Sequence, residues 1–222
     1  MAGHFAAFVD GGFLKAAGSK AIGEKNHRII VDGEALMTWL RRIRPYHADD
    51  ELLRAYWYDG EYDPSHSQYH AQRRIFEALD SVPGLEVRLG YLVERQPNWQ
   101  HALRQALVAC GVDLATFKKH FEMRPDLIQK GVDTLITMDL IGHSRSHSYE
   151  WALLIAGDHD LVDPVRSVEN DGHRVVVAVP EGAGIAPTLR RRADKFVTID
   201  QSSLRSFLKT RSSTAAKVKV AS

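Results

Sequence analysis

The stretch WALLIAGDHDLVDPVRSVENDGHRVVVAV (151–179) decides the fold class. It opens on an apolar run, WALLIAG (151–157), with the length and aliphatic content of a buried strand. Asp163-Pro164 then offers a helix cap followed by the proline that a first helical turn tolerates, and Gly172 stands where a left-handed terminator is expected. A second apolar run, RVVVAVP (174–180), follows at once. Strand, helix and strand in this order make a right-handed crossover unit, which requires parallel strands.

The same alternation extends toward the N-terminus. HFAAFVD (4–10), LLRAYWYDG (52–60) and LEVRLGYLV (85–93) read as strands, and KFVTID (195–200) as a weaker one. Helices are expected from DGEALMTWLRRIR, capped by Asp32 with Leu36, Trp39, Leu40 and Ile43 on one face, and from Asp63-Pro64 onward. The spacing predicts an α/β domain over residues 1–205 with a mostly parallel central sheet. Nearly sixty residues separate the third strand from WALLIAG, too many for one crossover helix, so 97–124 is expected to be a helical insertion or lid, a dimer contact or an elaboration. Residues 206–222 are small, polar and basic, the composition of a disordered tail.

Composition narrows the class further. The 222 residues are 44% hydrophobic and 26% charged, ordinary globular usage. No apolar run reaches the length of a membrane span and the first residues lack a secretory pattern, so a cytoplasmic protein is expected. A single cysteine, Cys110, fits a reducing compartment. The net charge of +1 makes no bulk case for nucleic acid, yet basic clusters such as Arg41, Arg42 and Arg44, or Arg190 to Arg192, would suit flanks of a phosphodiester site.

In open parallel sheets, ligands bind at the carboxyl ends of the strands. Asp10 closes the first strand before Gly11-Gly12, and Asp158 and Asp160 follow WALLIAG. Asp133 stands near the start of the helix-like KGVDTLITMDL, three residues after Lys130. Each acid has an ordinary explanation: Asp160 a cap in competition with Asp163, Asp133 a first-turn charge, Asp10 a turn residue. Together they describe four carboxylates on one sheet edge, which cannot stay ionised unless a cation neutralises them. Oxygen ligands suit Mg²⁺ or Mn²⁺, and with no His/Cys cluster beside the acids zinc fits poorly. Asp139 falls about 240° around a helix from Asp133 and is an outside candidate. His143 and His147 are read as a loop pair in GHSRSHSYE. Neither a G-x-G-x-x-G turn nor a Walker loop follows the first strand, which disfavours a nucleotide cofactor.

The ordered trio FVDGGFL (8–14), KGVDTLITMDL (130–140) and AGDHD (156–160) resembles the NYN domain family, particularly its LabA-like branch in the PIN-like nuclease group. The resemblance covers about 4 to 200. It implies a Rossmann-like three-layer α/β/α sandwich and a ribonuclease pocket binding Mg²⁺ or Mn²⁺. Asp10, Asp133, Asp158 and Asp160 match the family's acidic positions, with Asp10, Asp158 and Asp160 as metal ligands. Lys130, Gly11 and Gly12 are the candidate substrate contacts. Two positions depart from the family pattern: Phe13 stands where many members have Asn, and Ala156 where many have Ser. A non-catalytic RNA-binding module and a small-molecule phosphatase are the alternatives.

Overall fold

The computed structural model describes residues 3–95, 101–120 and 126–210. Six strands form the parallel part of one sheet: β1 (His4–Asp10), β3 (Glu51–Glu61), β4 (Leu85–Arg95), β6 (Trp151–Ile155), β7 (Arg174–Pro180) and β8 (Lys195–Ile199). A seventh, β5 (Asp126–Lys130), joins the edge antiparallel to β4, giving the order β5-β4-β3-β1-β6-β7-β8. A separate ribbon pairs β2 (Ile29–Val31) with β9 (Leu208–Thr210). The central strands are apolar on both faces because both are covered.

Along β1, Phe5, Ala7 and Val9 face one core while Ala6 and Phe8 face the other. The first core is closed by α1 (Gly11–Ala21), α2 (Gly33–Leu40), α3 (Tyr69–Asp80) and α9 (Gln201–Phe207), through Leu14, Leu36, Phe76 and Leu204. The second is closed by α6 (Val132–Arg145), α7 (Val162–Asn170) and α8 (Pro187–Arg192), through Ile136, Val165 and Leu189. The result is the Rossmann-like three-layer α/β/α sandwich, with a PIN-like, mostly parallel sheet. Two further helices, α4 (His101–Ala109) and α5 (Leu114–His120), fall within the segment expected to be a helical insertion, whose ends at 97–100 and 121–124 lie outside the described residues. Among the described residues no helix is long and apolar enough to cross a membrane.

Several boundaries differ from expectation. Asp63 does not cap α3; its carboxylate accepts the backbone N–H of Ser65 at 2.9 Å and closes a separate turn, and α3 begins at Tyr69. In the same way Asp163 does not cap α7. A short 3-10 turn over His159–Leu161 runs into the helix, and Asp158 caps that turn by accepting the N–H of Asp160 at 3.1 Å. Gly172 does end the segment, with φ at 88°. Residues 206–210, read as tail, belong to the fold because Phe207 and Leu208 are buried in the first core. Residues 211–222 lie outside the described residues.

Candidate active site

β1 delivers Asp10 to the carboxyl edge, where it becomes the N-cap of α1 by accepting the N–H of Phe13 at 2.9 Å. Only 9% of Asp10 is exposed. On the neighbouring strand Tyr58 is the register partner of Asp10, so Asp59 emerges one step further along β3. Asp59 is buried and held on three sides. Lys15 Nζ lies 2.5 Å from Oδ2, Gln129 Nε2 donates to Oδ1 at 2.7 Å, and the N–H of Gly60 donates at 2.9 Å. Asp133 sits in the first turn of α6, half-buried, two residues after left-handed Gly131. Asp158 and Asp160 are exposed on the turn after β6.

Their charges act on one another in sequence. Burial pushes the Asp10 carboxyl up from 3.8 to about 6; the Phe13 N–H opposes this, while the negative charges of Asp133 and Asp59 add to it. Asp133 is raised by burial first, then by Asp158 and Asp160. The repulsion therefore runs from Asp59 through Asp10 to Asp133 and on to the β6 turn. Asp133 links the two halves of the site. Among the described residues, no group of three or more His, Cys, Asp or Glu side chains is drawn together as ready metal ligands. The expected trio of Asp10, Asp158 and Asp160 is thus not a preassembled cage; Asp10 couples to Asp133, and Asp133 to the other two. The donor chemistry nonetheless fits a hard divalent ion. Mg²⁺ is commonly held by one or two carboxylates, with waters and substrate phosphate completing its shell.

The glycines and Phe13 have packing reasons. A Cβ on Gly11 would stand 2.3 Å from the Trp57 ring, and one on Gly12 2.5 Å from the Gln129 amide. Gly11 is buried beneath Trp57, whereas Gly12 lines a cavity. The Phe13 ring lies against Gly157, where a Cβ would meet it at 2.6 Å. Phe13 therefore supplies an apolar wall beside the turn that carries Asp158. Lys130 is exposed at the last position of β5, paired with Tyr91.

One acid, Asp59, went unseen in the sequence, and Asp139, the outside candidate, proves to have a packing role. Asp59 obeys the same strand-end rule as Asp10, and applying that rule to YWYDG would have found it. Asp139 faces the sheet, accepting Tyr58 Oη at 2.7 Å and Arg88 Nη1 at 2.9 Å. Burial, then Asp139, holds the Tyr58 hydroxyl far above its ordinary range, so it stays a donor. Truncating Asp139→Ala leaves the Tyr58 hydroxyl without its acceptor, while Arg88 keeps Glu86 at 2.8 Å. A loss of about 1–3 kcal/mol in chemical denaturation is expected. Asp139→Asn, which keeps an acceptor oxygen, is expected to lose less. His143 is no loop residue: α6 continues through it and its ring stacks on Tyr56 at 5.0 Å. His147 instead pairs with His173 at 3.2 Å.

Fold and acids together define an α/β protein with charge-coupled carboxylates at the carboxyl edge of a PIN-like sheet. The NYN domain matches residues 6–200, and the chain belongs to that family. A protein of Sinorhizobium fredii (strain NBRC 101917 / NGR234), uncharacterized protein y4oD, is 37% identical over 86 residues. That match covers 38% of this chain and 40% of the relative, so the chain spans about two fifths of the relative's length. The crystal structure of VPA0982, a protein of unknown function from Vibrio parahaemolyticus RIMD 2210633, superposes with a TM-score of 0.54 at 19% identity. The superposition covers 94% of this chain and 97% of that one, a likeness of fold alone.

Proposed function

We propose that this protein is a metal-dependent ribonuclease of the LabA-like branch, hydrolysing RNA phosphodiester bonds in the cytoplasm at the pocket of Asp10, Asp133, Asp158 and Asp160. The observation that carries this is the relay of carboxylates at the strand ends, in which burial and neighbouring charge raise the proton affinity of both Asp10 and Asp133. Such an arrangement in a NYN domain favours a cation over repeated protonation. Asp10 and Asp133, with Asp158 and Asp160 from the β6 turn, would hold Mg²⁺ or Mn²⁺. When bound, such an ion lowers the pKa of a water and neutralises charge on the phosphate. Asp133, half-exposed between the two halves of the site, would complete the site or orient the attacking water. Lys130 meets substrate phosphate from the β5 edge, a contact that sets position rather than sequence choice.

The second reading is a non-catalytic RNA-binding module of the same fold. It is favoured by Phe13 against Gly157, which puts a ring where a polar side chain would reach substrate. One assay separates the two. Mixed single-stranded and hairpin RNAs are incubated with Mn²⁺, Mg²⁺ or EDTA, with Asp158→Asn purified identically. Metal-dependent cleavage that falls by about tenfold or more in the variant is expected. Binding without cleavage, for both ions and several RNAs, would give the site to the second reading.

A further inference from the structure

Two cavities lie along the β5 side of the sheet, the nearer beginning at Gly12, two residues from Asp10. The inner one, about 970 Å³, begins at Gly12 and Lys15 and passes Asp59 and Gln129 to Asn26 and Gln68. The outer one, about 570 Å³, continues past Ser65 and His66. Tyr62, Leu92 and Leu127 line both and form the partition. Each volume falls in the range of small-molecule sites and exceeds what a single base needs.

The chemistry of the inner cavity is that of base recognition rather than phosphate capture. Its one buried acid, Asp59, is paired with Lys15, so little net charge faces the space. What remains are the amides of Asn26 and Gln68 and the imidazole of His27. Among the described residues these three side chains donate and accept no hydrogen bond. An amide presents a donor and an acceptor side by side, the pattern that pairs with a base edge. The Tyr62 ring lies 4.1 Å from that of His66 and 4° from parallel, a ready two-ring platform. Stacking on such rings with edge hydrogen bonding is how unpaired bases of single-stranded RNA are recognised, and a base inside a duplex cannot reach it.

Resting on the RNA reading above, we propose that these cavities are a nucleobase track: single-stranded RNA leaving the acidic pocket places an unstacked base in the inner cavity against Tyr62, where Gln68 and Asn26 read its edge. Gly12 and Asp59 join the track to the acids, Gly12 as the second residue after Asp10 and Asp59 through its charge on Asp10. The track is therefore a specificity element, distinct from the carboxylates.

The test uses the full chain carrying Asp10→Asn, which removes cleavage, with wild type in parallel. Fluorescence anisotropy is read with labelled ten-nucleotide U, C and A homopolymers and with a short duplex, in Mg²⁺. Single strands are expected to bind more tightly than the duplex. Adding Tyr62→Ala should weaken single-strand binding by about 5- to 100-fold, with Tyr62→Phe retaining it. Gln68→Ala, at an exposed position where truncation leaves the core untouched, should change the rank order of the homopolymers. If the parent binds RNA and wild type cleaves it, while Tyr62→Ala and Gln68→Ala match the parent in affinity and rank order, the track is overturned and the ribonuclease reading stands. If Tyr62→Ala melts early, Gln68→Ala decides. Failure of wild type and parent alike to bind or cleave any RNA overturns both.

Discussion

Asp10→Asn is expected to stabilise the metal-free protein at pH 8 and, on the ribonuclease reading proposed above, to remove cleavage of RNA at the same time. In the folded chain the Asp10 carboxyl titrates at about 6 instead of 3.8, chiefly because it is buried. Below 3.8 it is protonated whether folded or unfolded and makes no difference. Between about 4 and 6 the folded state holds a proton that the unfolded state has released, so stability falls as pH rises through this window. Above 6 the whole cost is present. A shift of about two pK units corresponds to about 2–3 kcal/mol. Asparagine removes the charge yet still caps α1 through its amide oxygen, so the Phe13 N–H keeps its acceptor.

Melts in EDTA should therefore show Asp10→Asn higher than wild type by about 4–10 °C at pH 8, converging near pH 4. Added Mg²⁺ should raise wild type more than the variant, because a cation relieves the repulsion that the substitution has already removed. Cleavage is expected to drop by a factor of about 100 or more, since Asp10 is the buried anchor of the pocket. Equal melting temperatures at pH 8 would mean that Asp10 is not strained by its surroundings. Stability and activity moving in opposite directions is the signature of a site held under charge repulsion for function.

What could be read in the sequence follows from how each residue signals its surroundings. β1 and β7 coincide with HFAAFVD and RVVVAVP, because central strands covered on both faces are uninterrupted apolar runs. β5 escaped notice because DLIQK is a five-residue edge strand with polar side chains, and its antiparallel pairing is set by contact with β4 rather than by local pattern. α1 was hidden by Gly11-Gly12, which reads as a turn. The carboxyl-edge rule located Asp10, Asp158 and Asp160, while the coupling order through Asp133 depends on which face of α6 meets the sheet. The same geometry turns Asp139 toward Tyr58 and Arg88 and away from Asp133. Caps were the least legible, since Asp63 and Asp158 close short turns that imitate helix starts.

Gly11→Ala should be among the most damaging single-methyl changes in the chain, although alanine is the better helix former. The new Cβ would stand 2.3 Å from two carbons of the Trp57 ring and 2.6 Å from its Nε1. Trp57 is only 1% exposed and packs in the core that α1 closes, so the ring has no open space to enter. Overpacking of this kind costs about 3 kcal/mol, more than the gain of up to about 1 kcal/mol from helix propensity. The midpoint should fall by about 4–12 °C. Gly142→Ala is the control: it lies in α6 with nothing within 4 Å of the new methyl, and should gain about 0.5–1 kcal/mol. Trp57→Phe supplies the second arm of a double-mutant cycle. It opens a cavity of its own, but in its presence Gly11→Ala should cost much less, because the atoms it strikes are gone. An additive cycle would mean that the cost of Gly11→Ala does not come from the Trp57 ring.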